Sequence, residues 1–435
     1  MMLRIALFLL VMATPLRAEI AIQEVTSPGG IKAWLVEDHN IPFMALELRF
    51  RGGTSLDQPG KRGAVNLMAA TLEEGAGEMD AQGFAMARDG LAAHIGFGAE
   101  ADEISVSMQT LTENRGAAVD LLHLALTAPR FDQDAVERVK GQVLAGLRAE
   151  EQDPSAIAAK LSRVRAYGAH PYGSSGDGTI DSVTALTRDD VVAAWQGAMA
   201  RDRIYVAAAG DISAEELGLL LDQLLVGVPA AGWPLPSKAV LNEKPGVVVQ
   251  SFPGPQSVVL FGHGGIGFDD PDFFAASLLN DILGGGRFSA RLMQEVREKR
   301  GLTYGIGTGL ASRDLSAEWV GQFQASNDKV AEAIQVVRDE WAKMATEGVT
   351  AEELATAKTY MTGAYPLRFD GNGQIASILV GMQMLGLSAD YPKTRNDKVN
   401  AVTMEDISRV AKRLLKPENL SFVVVGEPTG VEATE

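Results

Sequence analysis

An arginine and a tyrosine seven residues apart are the side chains whose types and spacing best suit peptide chemistry. Arg297 lies near the end of a helix-like run, residues 288–300, and Tyr304 follows Gly301. Glycine adopts the left-handed turn after a helix at little cost, so Gly301 is predicted to end this helix. Larger side chains alternate with small ones over 302–306, which predicts that a strand begins there.

A guanidinium and a phenol that face one cleft could hold a peptide carbonyl and stabilise the oxyanion formed when it is attacked. The same spacing also fits a structural role, a charged helix end followed by a core tyrosine, and spacing alone favours that role. The triple glycine Gly284-Gly285-Gly286 lies just upstream. It is predicted to form a flexible turn, or to let the backbone of an extended peptide substrate approach closely.

Residues 284–304, GGGRFSARLMQEVREKRGLTY, resemble the C-terminal-half signature of the M16 metallopeptidases, the pitrilysin, insulinase and processing-peptidase family. A second match is His170-Pro171-Tyr172-Gly173. It is followed by the motif Thr187-Arg188-Asp189-Asp190 and by a closing strand at 206–210. With their order and spacing, these motifs extend the resemblance over nearly the whole mature chain. In that family an Arg and a Tyr at this spacing bind substrate and stabilise the transition state. The resemblance implies these catalytic roles for Arg297 and Tyr304.

The zinc-binding half of the family's site is missing from this sequence. Members of the family bind zinc through His-x-x-Glu-His on a helix of the N-terminal half, together with a distant Glu. When the sequences are aligned on Gly63, the three motif positions are Asn66, Ala69 and Ala70, and the distant position falls near 145–146. Zinc needs three protein ligands from His, Cys or carboxylate, with a fourth position open. Alanine has no donor atom, and asparagine is a poor ligand.

The rest of the sequence offers no substitute metal site. The five histidines form no local pair at the helical spacing of metal ligands, and the chain has no cysteine. Glu73 and Glu74 follow the degenerate helix, but no histidine lies beside them, so they are interpreted as solvated or capping charges. We therefore expect no cofactor on this chain. The resemblance implies that zinc is bound by a partner subunit with the intact motif.

The sequence repeats one pattern twice. Residues 51–59 recur 212 residues later as 263–271, and the strand that ends at Gly210 recurs 216 residues later, ending at Gly426. A near-constant offset indicates two copies of one domain. The predicted fold is therefore α+β, with two homologous α/β domains, each an antiparallel-rich sheet flanked by helices. The resemblance implies that the two domains face each other as one half of a clamshell.

The sequence predicts the following boundaries: a signal peptide at 1–18, an N-terminal domain at 19–226, a linker at 227–245 and a C-terminal domain at 246–435. The linker is rich in Pro and Gly, which interrupt regular structure. Within the domains, period-two alternation and helical patterns predict separate elements. The main ones are strands at 43–50, 104–108 and 246–250 and helices at 63–72, 132–151, 273–283, 328–346 and 351–364.

The N-terminal residues and the net charge indicate where the protein acts and which classes of partner are disfavoured. Residues 1–18 carry one early Arg and an apolar stretch too short to span a bilayer, which predicts a secretory signal peptide; the alternatives are an uncleaved anchor or a mistaken start site. The protein is therefore expected in a bacterial periplasm. A net charge of −17 disfavours nucleic acid and anionic membranes as partners.

Two functions fit the sequence. The first is the non-zinc subunit of a heterodimeric M16 metallo-endopeptidase, which supplies Arg297 and Tyr304 to a partner that holds zinc and acts on peptides or unfolded segments. The second is a catalytically inactive scaffold or peptide-binding protein of the same family. Retention of both side chains favours the first. In either case the isolated chain is expected to be inactive as a peptidase.

Overall fold

The computed structural model describes residues 20–242 and 244–434 of the 435-residue chain. The predicted signal peptide, 1–18, lies outside these residues. Within them, no helix combines the length and the apolar composition that crossing a bilayer requires.

The strands and helices have the following bounds. The strands are β1 (Gln23–Thr26), β2 (Lys32–Glu37), β3 (Phe43–Arg51), β4 (Gly75–Ala76), β5 (Met79–Asp80), β6 (His94–Ala99), β7 (Glu103–Leu111), β8 (Ile204–Gly210), β9 (Gly246–Gln250), β10 (Gln256–Gly264), β11 (Ile306–Ser312), β12 (Ala317–Ser326) and β13 (Ser421–Val425). The helices are α1 (Ala64–Thr71), α2 (Ala81–Gly90), α3 (Arg115–Thr127), α4 (Gln133–Glu150), α5 (Pro154–Tyr167), α6 (Ile180–Ala185), α7 (Arg188–Ala198), α8 (Ala214–Leu225), α9 (Phe273–Gly284), α10 (Val330–Glu347), α11 (Ala351–Ala364), α12 (Asn372–Met384), α13 (Tyr391–Ala401) and α14 (Met404–Leu414).

Two sheets of matching strand order organise the chain. The first runs β1-β2-β8-β3-β7-β6, and the second, taken in the corresponding direction, runs β9-β13-β10-β12-β11. In each, one parallel pair (β2 with β8, β9 with β13) accompanies otherwise antiparallel neighbours. Apart from β1, the two sheets are strand-for-strand equivalent. The predicted α+β fold, with two homologous antiparallel-rich sheets flanked by helices, is confirmed.

Alternation along the strands decides which face of each sheet is buried. Met44, Leu46, Leu48 and Phe50 on β3 are all fully buried, as their period-two spacing predicts. They belong to a hydrophobic cluster of the first half that also includes residues of α1 and α8. A second cluster joins β10, β12 and β13 to α9, α10 and α14. Each half therefore has its own core between its sheet and its helices.

The other face of each sheet is covered by a helix from the opposite half. Helix α12, from the second half, packs on β3 and β8 of the first sheet, where Ala376 meets Ala45 and Ala209. Helix α5, from the first half, packs on β10 and β13 of the second sheet, where Ala158 contacts the buried Val258. The two halves thus exchange one helix each, and neither sheet is fully covered without the other half.

The His-Pro-Tyr-Gly motif also joins the two halves. The Tyr172 hydroxyl donates to the Asp102 carboxylate, and the backbone N–H of Leu315, in the turn between β11 and β12, donates to the Tyr172 oxygen at 3.1 Å. Nearby, the Tyr167 hydroxyl lies 3.2 Å from the Ser316 hydroxyl in the same turn. The ring of Tyr172 is almost fully buried. This motif therefore fixes the β11–β12 turn to the first half.

Replacement of Tyr172 by Phe should lower the free energy of unfolding by about 1–3 kcal/mol, because the partly buried Asp102 carboxylate and Leu315 N–H each lose a hydrogen-bond partner. Chemical denaturation of both proteins measures the difference. Tyr360→Phe is the matched control, since the Tyr360 ring is half exposed and its hydroxyl makes no hydrogen bond to any described residue. Equal effects of the two substitutions would contradict a joining role for Tyr172.

Candidate functional site

Tyr304 is the most exposed of the large hydrophobic side chains among the described residues, with 87% of its surface accessible. It lies in a loop, because β11 begins only at Ile306. Its neighbours Leu302 and Ile306 are both buried, each at 4% exposure. The structural role considered for Tyr304, a core tyrosine, is therefore wrong, and so is the predicted strand start at 302.

A threonine accounts for the loop. The Thr303 hydroxyl accepts from the Gly305 N–H at 3.1 Å and donates to the Gln324 carbonyl at 2.6 Å. A side chain that bonds the backbone two residues on makes a local turn, which competes with strand pairing. Tyr304 sits at the tip of this turn and points away from the core.

The helix that carries Arg297 is shorter than predicted and partly π-helical. It spans residues 291–298 rather than 288–300, and residues 293–298 have the wide π geometry. Gly301 ends it as predicted, with φ of +62° and its N–H bonded to the Arg297 carbonyl at 2.8 Å. The helix starts late because the backbone at Gly286 has a positive φ of +82° and the chain turns before entering it. Short π-helical turns occur frequently at functional sites.

Arg297 rests on an aromatic ring. Its guanidinium carbon lies 4.7 Å from the centre of the Phe288 ring, and its Nε is 3.5 Å from the Glu298 carboxylate. Phe288 itself is 62% exposed. A cation over an aromatic face is attracted by the ring quadrupole, so Phe288 restrains the arginine. No pattern in the sequence indicated a role for Phe288.

A large open cavity lies between α5 and the outer face of the second sheet. Its volume is about 1050 Å³, and its lining includes Tyr304 and all three residues Gly284, Gly285 and Gly286. Arg297 is not among the described residues that line it. Arg297 and Tyr304 were expected to point into one cleft. Tyr304 lines this cavity together with the three glycines, but Arg297 does not.

Glycine is needed at each of these three positions for a different structural reason. A Cβ at Gly284 would approach the Thr308 side chain to 2.5 Å, and one at Gly285 would approach the Asp281 backbone to 2.6 Å. Gly284 therefore lets the end of α9 pack tightly against β11, and Gly285 lets the chain turn closely over the last turn of α9. At Gly286 a Cβ would have open space, but the positive φ favours glycine. The triple glycine is thus a tightly packed turn at the rim of the cavity.

Two ion pairs anchor this turn and the following helix. The Arg287 guanidinium binds the Asp281 carboxylate, with Nε to Oδ1 at 3.1 Å, and burial raises the pKa of Asp281. Arg291 binds Glu353 of α11 through two hydrogen bonds, of 2.7 and 2.8 Å. These hydrogen bonds lower the pKa of Glu353 to about 2. The sequence could not indicate the second pair, whose members are 62 residues apart.

Replacement of Glu353 by Gln should lower the free energy of unfolding by about 2 kcal/mol at neutral pH, because glutamine keeps the helix cap but removes the charge. The folded-state pKa of Glu353 is depressed, so the wild type's advantage is present above the usual pKa of 4.5 and is lost as pH falls toward 2. Urea unfolding at several pH values measures the difference in the free energy of unfolding between the wild type and the Glu353→Gln variant.

The exposed neighbour Glu352 provides the control for this experiment. Glu352→Gln should change the free energy of unfolding by less than about 0.5 kcal/mol at every pH, as surface substitutions usually do. A difference between wild type and Glu353→Gln that does not shrink in acid would rule out the ion pair as its cause.

The residues at the family's zinc positions do not fit zinc. The Asn66 amide on α1 donates to the Asp177 carboxylate at 2.9 Å, Ala69 is buried and Ala70 is exposed. Neither alanine carries a donor atom. Over residues 20–242 and 244–434, no group of three His, Cys, Asp or Glu side chains is placed to hold a metal ion.

Comparison with known proteins finds similarity to domains that are described as inactive. Residues 185–361 match the family model described as the peptidase M16 inactive domain. A solved structure of a peptidase M16 inactive domain from Pseudomonas fluorescens is 30% identical and superposes with a TM-score of 0.88, covering 94% of this chain and 99% of that one.

Curated relatives extend the similarity over most of the chain. The non-peptidase homolog YmxG of Helicobacter pylori is 24% identical over 89% of this chain and 90% of its own length. An uncharacterized zinc protease of Mycobacterium leprae is 26% identical over 90% of this chain and 88% of its own length. The chain belongs to the M16 peptidase family and resembles the members described as inactive.

Proposed function

We propose that this chain is the non-zinc subunit of a heterodimeric M16 metallo-endopeptidase. The observation that carries the proposal is the state of Tyr304, a phenol that is 87% exposed at the mouth of a large cavity. Its hydroxyl makes no hydrogen bond to any described residue. A side chain held out on an anchored turn, with its polar group unused, is available to a ligand or to a partner's substrate.

The division of roles follows from the donor groups that each chain would have. The partner's zinc would polarise the scissile carbonyl and activate water. On this chain, the Tyr304 hydroxyl can donate a hydrogen bond to the peptide carbonyl oxygen. The Arg297 guanidinium can hold the peptide backbone or the developing negative charge. Preorganised donors of this kind stabilise charge as it develops, which is why the anchors at Arg287 and Arg291 matter for the site.

The surface beside the cavity suits a protein partner. Phe288 is 62% exposed, Tyr360 is 50% exposed, and each ring carries an arginine stacked on it, at 4.7 and 4.8 Å. Tyrosine, phenylalanine and arginine are the residues enriched at the centres of protein interfaces. We propose that a second M16 subunit with an intact His-x-x-Glu-His motif closes over this side of the chain.

The proposal includes the cellular location. A signal peptide at residues 1–18 would direct the chain to a bacterial periplasm, where it and a separately exported partner would act on peptides or unfolded segments. The charge of −17 supports a protein or peptide partner rather than nucleic acid.

A second candidate function is an inactive scaffold or peptide-binding protein of the same family. It is favoured by the lack of metal donors at Asn66, Ala69 and Ala70 and by the description of a relative as a non-peptidase homolog. In that case the cavity would bind a peptide without cleaving it, and no zinc subunit would be required.

Purification of the tagged chain from its native source separates the two candidates. We expect a one-to-one complex with a chain of similar or greater length, containing one zinc ion per pair, measured by native mass spectrometry and metal analysis. A zinc-free monomer or homodimer would contradict the peptidase-subunit proposal, because a homodimer has two Arg/Tyr pairs and no metal site.

A further inference from the structure

None of the described residues that line the cavity beside Tyr304 has a charged side chain. Asp, Glu, Lys and Arg make up 22% of the sequence, yet none of them, and no histidine, is among the described residues that line it. The walls consist of glycines, aliphatic side chains and neutral polar groups such as Ser155 and Ser162 on α5. A charged ligand group inside would lose water without gaining a partner, which is costly.

The floor is the outer face of the second sheet. Across β10 and β12, Val258 lies opposite Gln324, and Leu260 lies opposite Gln322. Apolar side chains therefore alternate with amides, and both glutamines are exposed. A glutamine amide can donate and accept, so it can pair with either the N–H or the C=O of a neutral polar chain. This surface matches a peptide backbone better than it matches a charged side chain.

Glycines lie at the cavity in and next to the edge strand β11, and packing within the chain does not require them there. Gly305, which directly precedes the strand, and Gly309 within it line the cavity, and a Cβ on either would meet nothing within 4 Å. Neither has a positive φ. By contrast, a Cβ at Gly321, on the neighbouring strand, would collide with the Phe261 ring at 2.2 Å. A glycine in a strand destabilises it by about 0.5–1 kcal/mol relative to alanine, and often marks the close approach of another backbone.

We propose that this cavity binds an extended peptide segment whose side chains are uncharged. The inference rests on the proposed function, since it names the substrate class of that site. The absence of lining charges excludes acidic and basic residues from the bound segment. The open space at Gly305 and Gly309 lets the segment's backbone approach the edge of the sheet, beside the Tyr304 hydroxyl. β11 is the last strand at this side of its sheet in the described structure, which suits an extended chain.

Binding to the purified chain alone tests the proposal. The probe is a fluorescein-labelled peptide of Ser, Ala and Val residues, compared with peptides in which Lys or Asp replaces the central pair. Fluorescence anisotropy should show saturable binding of the neutral peptide, at least about tenfold tighter than that of either charged peptide. Gly309→Val should weaken it by about tenfold or more. Gly141→Val, an exposed glycine with open space on α4, is the matched control and should leave binding unchanged.

Several outcomes would overturn the proposal: no saturable binding, equal affinity for charged and neutral peptides, or full binding by a correctly folded Gly309→Val variant. Circular dichroism checks the fold, and Gly305→Ala serves as a second variant should Gly309→Val not fold. The test needs neither zinc nor a partner. Selective binding by a chain that never co-purifies with a zinc subunit would refute the peptidase-subunit proposal and keep this one. A zinc-containing complex without peptide selectivity would do the reverse.

Discussion

The proposed complex of this chain with a zinc-binding subunit should cleave peptides about 100- to 1000-fold more slowly when Arg297 is replaced by Ala, with the complex still assembled. Removal of one preorganised donor to an oxyanion typically has an effect of this size. Turnover of a quenched fluorescent peptide gives the rate, and native mass spectrometry shows whether the pair remains together. The Michaelis constant should change less than the turnover number, because the donor acts mainly on the transition state.

Arg300 supplies the matched control for this experiment. It lies three residues further on, is also partly exposed, and is engaged by Glu295 at 2.7 Å. Arg300→Ala should therefore leave turnover within about twofold of the wild type, since surface substitutions away from a site usually have small effects. Unchanged turnover in Arg297→Ala would rule out the proposed role of the arginine. Dissociation of the pair would instead place Arg297 in the interface.

The architecture could be predicted from the sequence because it depends on periodicity and repetition. Strand β3 has its four buried side chains where the alternation from Met44 to Phe50 predicts them. The repeat offset indicated two equivalent domains, and the two sheets have the same strand order. Local patterns of this kind are set by which side chains need burial, so they are visible in one sequence.

The exchange of α5 and α12 between the halves could not be predicted in the same way. Each helix has apolar residues that need a surface, but the pattern does not say which sheet provides that surface. Ala376 contacts Ala45 and Ala209 across more than 160 residues of chain. Small side chains allow a close approach from many helices, so the partner is decided by the three-dimensional path of the chain rather than by local sequence.

The sequence identified candidate site residues but not how they are arranged. Tyr304 and the triple glycine line one cavity, whereas Arg297, which was expected to face the same cleft as Tyr304, does not line it. The stack of Arg297 on Phe288 was not foreseen, because a side chain's rotamer depends on neighbours that sequence spacing does not reveal. The sequence left open whether Tyr304 is buried in the core or faces a cleft, since its exposure depends on the hydrogen bonds that Thr303 makes with its surroundings.

Replacement of Trp341 by Ala should lower the free energy of unfolding by about 3–5 kcal/mol, as large-to-small changes in a packed core do. Trp341 is fully buried, its ring packs edge-on against Trp319 at 5.6 Å, and its N–H donates to His263 at 2.9 Å. Chemical denaturation followed by circular dichroism measures the change. Leu219→Ala is the control, because Leu219 is 58% exposed and its loss should change stability little.

The same variant tests whether the halves unfold together. Trp341 belongs to the core of the second half, but the first sheet is covered by α12, which the second half supplies. Loss of the second core should therefore expose β3 and β8 as well, and their amide hydrogens should exchange faster in Trp341→Ala than in the wild type. Two separate unfolding transitions, with full protection retained in β3 and β8, would show that the exchanged helices do not couple the halves. A single transition, with β3 and β8 losing protection together with the second core, would show that the exchanged helices couple the stability of the two halves.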